Sequence, residues 1–432
     1  MTVPAHSGIN ALLGVGGYIH RVMASMVTSF ATATGRMAAL ALLAVSVPGH
    51  AFQGDRIRPS VGVVANYYSN LFFLDDRIPS NLVPYLKDGQ KSDWSRGLRV
   101  GLDADISASR QNFVLRSSAS QNNFSTYSAL GNTAHDLRGT WNWVAGGRWE
   151  GDMGASFNES LGSFIDTRSG QKNIRKVNSY SASALYGVLY DWKLRAALGY
   201  YELENSAPLF FSANRRDISS ELGTRYYSKG EDNLLGFNLR AIDGVFPNRQ
   251  ILPEVTRDDG YRQFTAEGVI NWRHSDLTSL EGGIGWTNRL HGQLSYRNFS
   301  GITGRVMWTY GLTGATSINT TVFREISTPE TVGPNYILAQ GFRAGPSWRY
   351  SDKLTLQASA GFSNRKFLGD QLTTATSTVR VDDVWTVSGF VLWTPTHRTQ
   401  LDASVSYDTR KSNAVLFDFK AVSTLLYARY TV

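Results

Sequence analysis

Between Arg349 and Ser363 the chain reads RYSDKLTLQASAGFS, a polar turn beside aromatic residues that opens into strict alternation. In an extended chain Leu354, Leu356, Ala358, Ala360 and Phe362 project one way, and Thr355, Gln357, Ser359, Gly361 and Ser363 the other. The same pattern sets Leu98, Val100, Leu102, Ala104 and Ile106 against Arg99, Gly101, Asp103 and Asp105. It sets Leu194, Ala196, Leu198 and Tyr200 against Lys193, Arg195 and Gly199, and Leu401, Ala403, Val405 and Tyr407 against Asp402, Ser404, Ser406 and Asp408. Each segment predicts a strand with one oily face and one wet face.

Two kinds of connection separate these segments. Short turns fall at 108–112, 145–149, 189–193, 226–232, 272–277, 310–315, 350–354 and 393–398, all but the first beside an aromatic ring. Longer, more polar stretches fall at 75–92, 128–135, 161–173, 205–214, 247–258, 289–298, 329–335, 366–378 and 410–413. Successive turns lie roughly 36 to 45 residues apart, enough for two long strands and one loop. A propeller blade has a similar period, but it packs four short strands into it. Short turns on one side and long loops on the other predict an all-β fold: a transmembrane antiparallel up-and-down β-barrel of about 18 strands, with periplasmic turns and extracellular loops.

Composition agrees with a secreted barrel. The chain of 432 residues has no Cys, so disulfides, thiolate metal sites and a Cys nucleophile are excluded. Residues 1–51 contain Arg21 and Arg36, no acidic residue, an apolar run from Met37 to Val47, and small residues before Phe52. They read as a signal peptide, with translation starting near Met23 or Met26, and residues 52–432 as the barrel. Removing the leader lowers the net charge from +8 to +6, with none of the basic tract that nucleic-acid binding requires. No mature window offers about 20 apolar residues, so no helix is expected to cross the membrane; a barrel strand needs only alternate apolar positions.

The turn aromatics then acquire a mechanical role. Trp and Tyr sit well at the headgroup level, so Trp141, Trp143, Trp149, Trp192, Trp272, Trp308, Tyr310, Trp348, Tyr350 and Trp393 are expected to form a periplasmic-side girdle. An ordinary core of a soluble β protein is the alternative reading of the same rings. Opposite faces of the strands place Arg99, Arg116, Arg138, Arg195, Arg225, Arg240, Arg305 and Arg343 in the lumen, beside Asp103, Asp105, Glu150, Asp152, Glu221, Glu267, Glu281 and Asp402. The plain reading is that these charges pair and stiffen the wall. The functional reading is a polar conduit that contacts its cargo weakly and often.

No catalytic residues, metal ligands or cofactors are expected. His274 and His397 fall in short turns and His135 and His291 at the loop side, without a G-x-S-x-G or H-E-x-x-H pattern. A barrel enzyme of lipase or protease type is therefore the weakest reading. The doublets Asp75-Asp76, Asp258-Asp259 and Asp382-Asp383 could hold a hard cation, but they read first as solvated loop charge.

The segment VGVVANYYSNLFFLDD, Val61 to Asp76, read as the first strand, resembles the opening of EpsL-like barrel proteins of exopolysaccharide biosynthesis. Tyr68, Asn70, Leu71, Phe72 and Leu74 match that opening, while Ser69 and Phe73 stand where Asp and Arg are typical. The turn WTPTHRTQLDASVSY is similar to the family's recurring unit. The resemblance implies an outer-membrane channel that exports, or associates with, an exopolysaccharide. A general diffusion porin for small hydrophilic solutes is the alternative. The expected partners are outer-membrane lipid and lipopolysaccharide, the polysaccharide cargo, a periplasmic export partner, and the assembly machinery that reads the last strand, which here ends in Val432 rather than Phe.

Overall fold

The computed structural model describes residues 56–432 apart from 168, 229–232, 250–259, 293–294, 328–335 and 369–378. The expected leader and the Asp258-Asp259 doublet lie outside the described residues. The wall consists of eighteen strands. They begin with β1 (Arg56–Tyr68), β2 (Asp93–Ala108), β3 (Gln111–Phe124), β4 (Asn132–Ala145), β5 (Trp149–Leu161) and β6 (Ile174–Gly187). They continue with β7 (Trp192–Asn205), β8 (Arg215–Ser228), β9 (Asn233–Val245), β10 (Gly260–Ser275), β11 (Thr278–Leu290) and β12 (Phe299–Gly311). The last six are β13 (Thr316–Ser327), β14 (Tyr336–Ser351), β15 (Leu354–Leu368), β16 (Val381–Trp393), β17 (Thr399–Ser412) and β18 (Phe419–Thr431).

Every strand pairs antiparallel with its sequence neighbours, and β18 returns to β1, from Ser60 opposite Thr431 to Tyr68 opposite Ser423. Closure leaves no strand edge. An open edge in hydrocarbon would strand N–H and C=O groups without partners, at several kcal/mol each. The turns on one rim are tight because their residues allow it: Gly146 takes a φ of 60° in the β4–β5 turn, and Ser109 a φ of 56° between β2 and β3. The connections on the other rim are long, up to the stretch 69–92 between β1 and β2.

Alternation assigns the two faces. Val63, Leu98, Leu198, Leu222, Leu239, Ile284, Val322, Val387 and Val405 all project outward and stand at least half exposed. A continuous aliphatic belt of this kind is a liability in water and the requirement in a bilayer. The buried apolar cluster, by contrast, sits in the loops. Leu71, Phe72, Leu74, Val83 and Leu86 pack there with Phe124, Tyr127, Leu130 and Phe164.

One expected boundary is corrected. The first strand ends at Tyr68 rather than running to Asp76, because Asn70 turns the chain inward. Its side chain accepts from the Leu74 N–H at 2.9 Å and donates to the Leu74 carbonyl at 2.8 Å, and Phe73 adopts a φ of 52°. The apolar run that follows is thus loop core. Because Ile284 lies midway along β11 on the outer face, Ile284→Arg should cost about 2–4 kcal/mol in a lipid-vesicle unfolding titration, while the lumen-facing Met307→Gln should cost far less.

Candidate functional site

The rings expected at the periplasmic side stand at the short-turn rim and face outward. Trp141, Trp149, Trp192, Trp308, Tyr310, Trp348, Tyr350 and Trp393 are exposed, and Trp143 and Trp272 are half-covered. Neighbouring rings contact one another, as Trp348 does Tyr350 at 5.2 Å and 90°.

The expected lumen residues Arg99, Asp103, Arg195, Glu221, Arg225, Arg240, Glu267, Glu281, Arg305, Arg343 and Asp402 all occupy the inward-facing positions of their strands. The register fixes this, because they alternate with outward positions such as Leu98 beside Arg99, Leu194 beside Arg195, Leu222 beside Glu221 and Phe342 beside Arg343. Their environments differ. Glu221 is ion-paired with three arginines, accepting from Arg240 at 2.6 Å and Arg195 at 3.0 Å and standing 3.9 Å from Arg225. Arg305 pairs with Glu325 at 2.6 Å, and Asp103 with Arg429 at 3.8 Å. Asp402 accepts from Gln400 at 2.8 Å, and Arg99 lies over the Tyr427 ring at 5.7 Å. Glu267 and Glu281 make no ion pair among the described residues. They line a wall recess of about 540 Å³ together with Arg240, Arg305 and the Thr287 and Thr303 hydroxyls. Between the charges the wall is hydroxyl-rich, with contacts such as Ser359 to Ser388 at 2.8 Å and Thr287 to Thr303 at 2.7 Å.

The residues that narrow this lumen were not anticipated. Loop 162–173, between β5 and β6, leaves its own wall and reaches β15, β16 and β17. Asp166 accepts from Arg365 at 2.6 and 2.9 Å and from Arg410 at 3.4 Å, and the Ile165 carbonyl accepts from Arg410 at 2.7 Å. Arg380 joins them, 4.0 Å from Asp166 and 2.5 Å from Asp382. The side chains of Asp166, Arg410 and Asp382 are only 4%, 3% and 0% exposed, so these pairs are held away from bulk water. Phe164, two residues before Asp166, inserts into the loop core against Phe72 at 5.0 Å. Phe72 also meets the Tyr127 ring edge-on at 4.9 Å. Asp93 completes the brace by accepting from the N–H groups of Thr126 and Tyr127 at 2.8 and 2.9 Å. Three loops therefore fold into the mouth as one unit.

Two expectations about loop charge are corrected by this packing. Asp75 and Asp382 are buried and paired with Arg77 and Arg380, both at 2.5 Å, rather than solvated. Their carboxylates are consumed by guanidinium groups. His291, just beyond β11, is also buried. Its burial, then the nearby Arg289 and Arg297 charges, push its pKa from 6.5 down to about 3.

The latch yields a direct expectation: Asp166→Ala, which removes the carboxylate shared by Arg365 and Arg410 and leaves Arg410 only Asp382 at 3.6 Å as a counter-charge, should weaken loop docking by about 3–5 kcal/mol. Single-channel recording should then show a larger mean conductance with more frequent level changes. For His291 the sign is set by a depressed folded-state pKa. An unfolded chain takes up a proton below pH 6.5 that the native ring refuses until about pH 3. The wild type should lose stability as pH falls through that window, and His291→Gln should lose less in thermal melts over the same range.

The family model described as "Putative beta-barrel porin 2" matches residues 256–431. No curated protein matches the sequence at a significant level. Solved structures similar to the chain include OpdK of Pseudomonas aeruginosa, at 10% identity and a TM-score of 0.47, covering 87% of this chain and 99% of that one. OccK2 (OpdF) of the same organism aligns at 10% identity and 0.48, covering 87% and 98%. A BenF-like porin of Pseudomonas fluorescens Pf-5 aligns at 9% identity and 0.47, covering 87% and 99%. The chain is a closed eighteen-stranded antiparallel β-barrel, and its C-terminal part is similar to that porin family.

Proposed function

We propose that the protein is a weakly selective diffusion channel for small hydrophilic solutes. The observation that carries this reading is loop 162–173, fastened across the lumen by Asp166 to Arg365 and Arg410. A barrel of this size with an empty bore would pass large cargo; a strap bound to the far wall divides the bore and favours small cargo. Polysaccharide export, which the likeness to EpsL-like proteins implies, calls for an uninterrupted path and gains nothing from that strap.

Weak selectivity follows from the wall. Arginines and carboxylates alternate around it, several are already satisfied by one another, and the intervening positions are Ser, Thr and Gly. Such a surface solvates a passing solute without holding it, which conduction requires. In reconstituted liposomes, swelling rates should fall steeply from mono- to tetrasaccharides, and the reversal potential in a salt gradient should stay near zero. Absence of any swelling or conductance, or passage of a long glycan at a rate insensitive to the Asp166→Ala change, would overturn the reading.

A further inference from the structure

We propose that a groove on the outer wall, across β16, β17, β18, β1 and β2, binds one phosphorylated glycolipid of the outer leaflet, a lipid of the lipid A type. The groove encloses about 690 Å³. It follows a hydrogen-bonded row of outward side chains that runs Arg96, Ala65, Leu426, Ala403 and Val391. Arg96 lies near the loop end of β2 and Val391 near the turn end of β16, so the row descends obliquely from the outer rim toward the inner one. Ala65 and Ala403, with Ala428 in the adjoining row, leave a trough between larger side chains.

The two ends of the trough differ in chemistry. Its body is apolar and its lower end is closed by Trp393, while its upper end carries Arg96 with Gln121 and Asn123, all three among the groove's lining. Asn123 stands directly opposite Arg96 and Gln121 opposite Leu98, so both amides share the outward face. Among the described residues Arg96 makes no ion pair and the two amides make no side-chain hydrogen bond. Several other charges on the outer face near the loop rim find protein partners: Arg216 meets Glu202 at 2.7 Å, Arg262 meets Asp243 at 3.7 Å, and Lys176 meets Glu159 at 3.9 Å.

An unpaired guanidinium on a lipid-facing wall is tolerated when it reaches the headgroup layer, and there its fork matches a phosphate. Apolar contact alone does not choose among lipids, because one acyl chain solvates the wall as well as another. The choice comes from the upper end: a phosphate for Arg96 and sugar hydroxyls for the amides of Gln121 and Asn123, with an acyl chain lying in the trough below. A second copy of this chain fits less well, since the acids its outer face carries near the loop rim, Glu159, Glu202 and Asp243, are already paired with its own basic residues. The inference depends on the bilayer placement and not on the solute that crosses the lumen.

Native mass spectrometry of the full-length mature protein from detergent micelles tests it, with lipid A, dephosphorylated lipid A or phosphatidylglycerol added in turn. The wild type should retain one lipid A per chain in preference to the other two. Arg96→Ala should lower retention about tenfold, as loss of a charged hydrogen bond would, and Ala403→Trp, which fills the trough, should lower it at least as much by excluding the acyl chain. Arg262→Ala, on β10, should leave it unchanged. Heat-modifiable migration on gels verifies that each variant is folded. No retention by the wild type, equal retention of the dephosphorylated lipid or of phosphatidylglycerol, or retention unchanged in both groove variants would each overturn the proposal.

Discussion

The molecule is organised by one constraint: inside hydrocarbon a backbone amide has no water to fall back on, so every N–H and C=O must find a partner within the protein. An open sheet cannot satisfy that at its edges. The pairing of β18 with β1 does, and once it is made the rest of the wall follows. Outward positions must be lipid-compatible, inward positions are free to be polar, and the alternation of the chain records that division residue by residue. Ile284 and Thr303 illustrate it, one turned to the bilayer and the other to its hydroxyl neighbour Thr287 across the lumen wall.

The same constraint relocates the apolar core. A wall one strand thick with water inside has no interior to fill, so the tightly packed residues lie at the loop end around Phe72. That packing is also what gives the channel its shape. Phe164 anchors the strap and Asp166 fastens it, and the two together hold irregular backbone inside the barrel, where protein and water can satisfy it. In the proposed channel the size of the passage and the stability of the loops are therefore coupled through a handful of side chains on opposite walls.

Much of the wall was legible in the sequence because its signals are local. Alternation such as Leu401-Asp402-Ala403-Ser404, and the turns with Trp348, Tyr350 and Trp393 beside them, need no knowledge of distant residues, and a count of about 18 strands and both kinds of connection could be read from them. The loop architecture was not legible in that way. Asp166 and Arg365 are 199 positions apart, and nothing in either neighbourhood names the other. Two weak signs existed: Phe164 and Ile165 form an apolar pair inside a polar loop, and Leu71 to Leu74 continue an oily run after alternation has stopped. A strand cannot use such a run on one face only, so it had to be buried by something else. The Asp75 and Asp382 doublets misled for a different reason: Arg77 and Arg380 stand only two positions from them, but the burial of each carboxylate and its second partner, Asp418 beside Arg77 and Arg410 beside Asp382, come from folding.

The account rests on water filling the inside of the barrel and lipid covering its outside. The chain has no Cys, so single cysteines can be placed at 403, 404, 405 and 406 along β17 and assayed in liposomes with a water-soluble, membrane-impermeant thiol reagent. Ser404→Cys and Ser406→Cys should label readily through the lumen, while Ala403→Cys and Val405→Cys should resist labelling. Uniform labelling of all four, or labelling of Ala403→Cys and Val405→Cys in preference to the other two, would contradict the account.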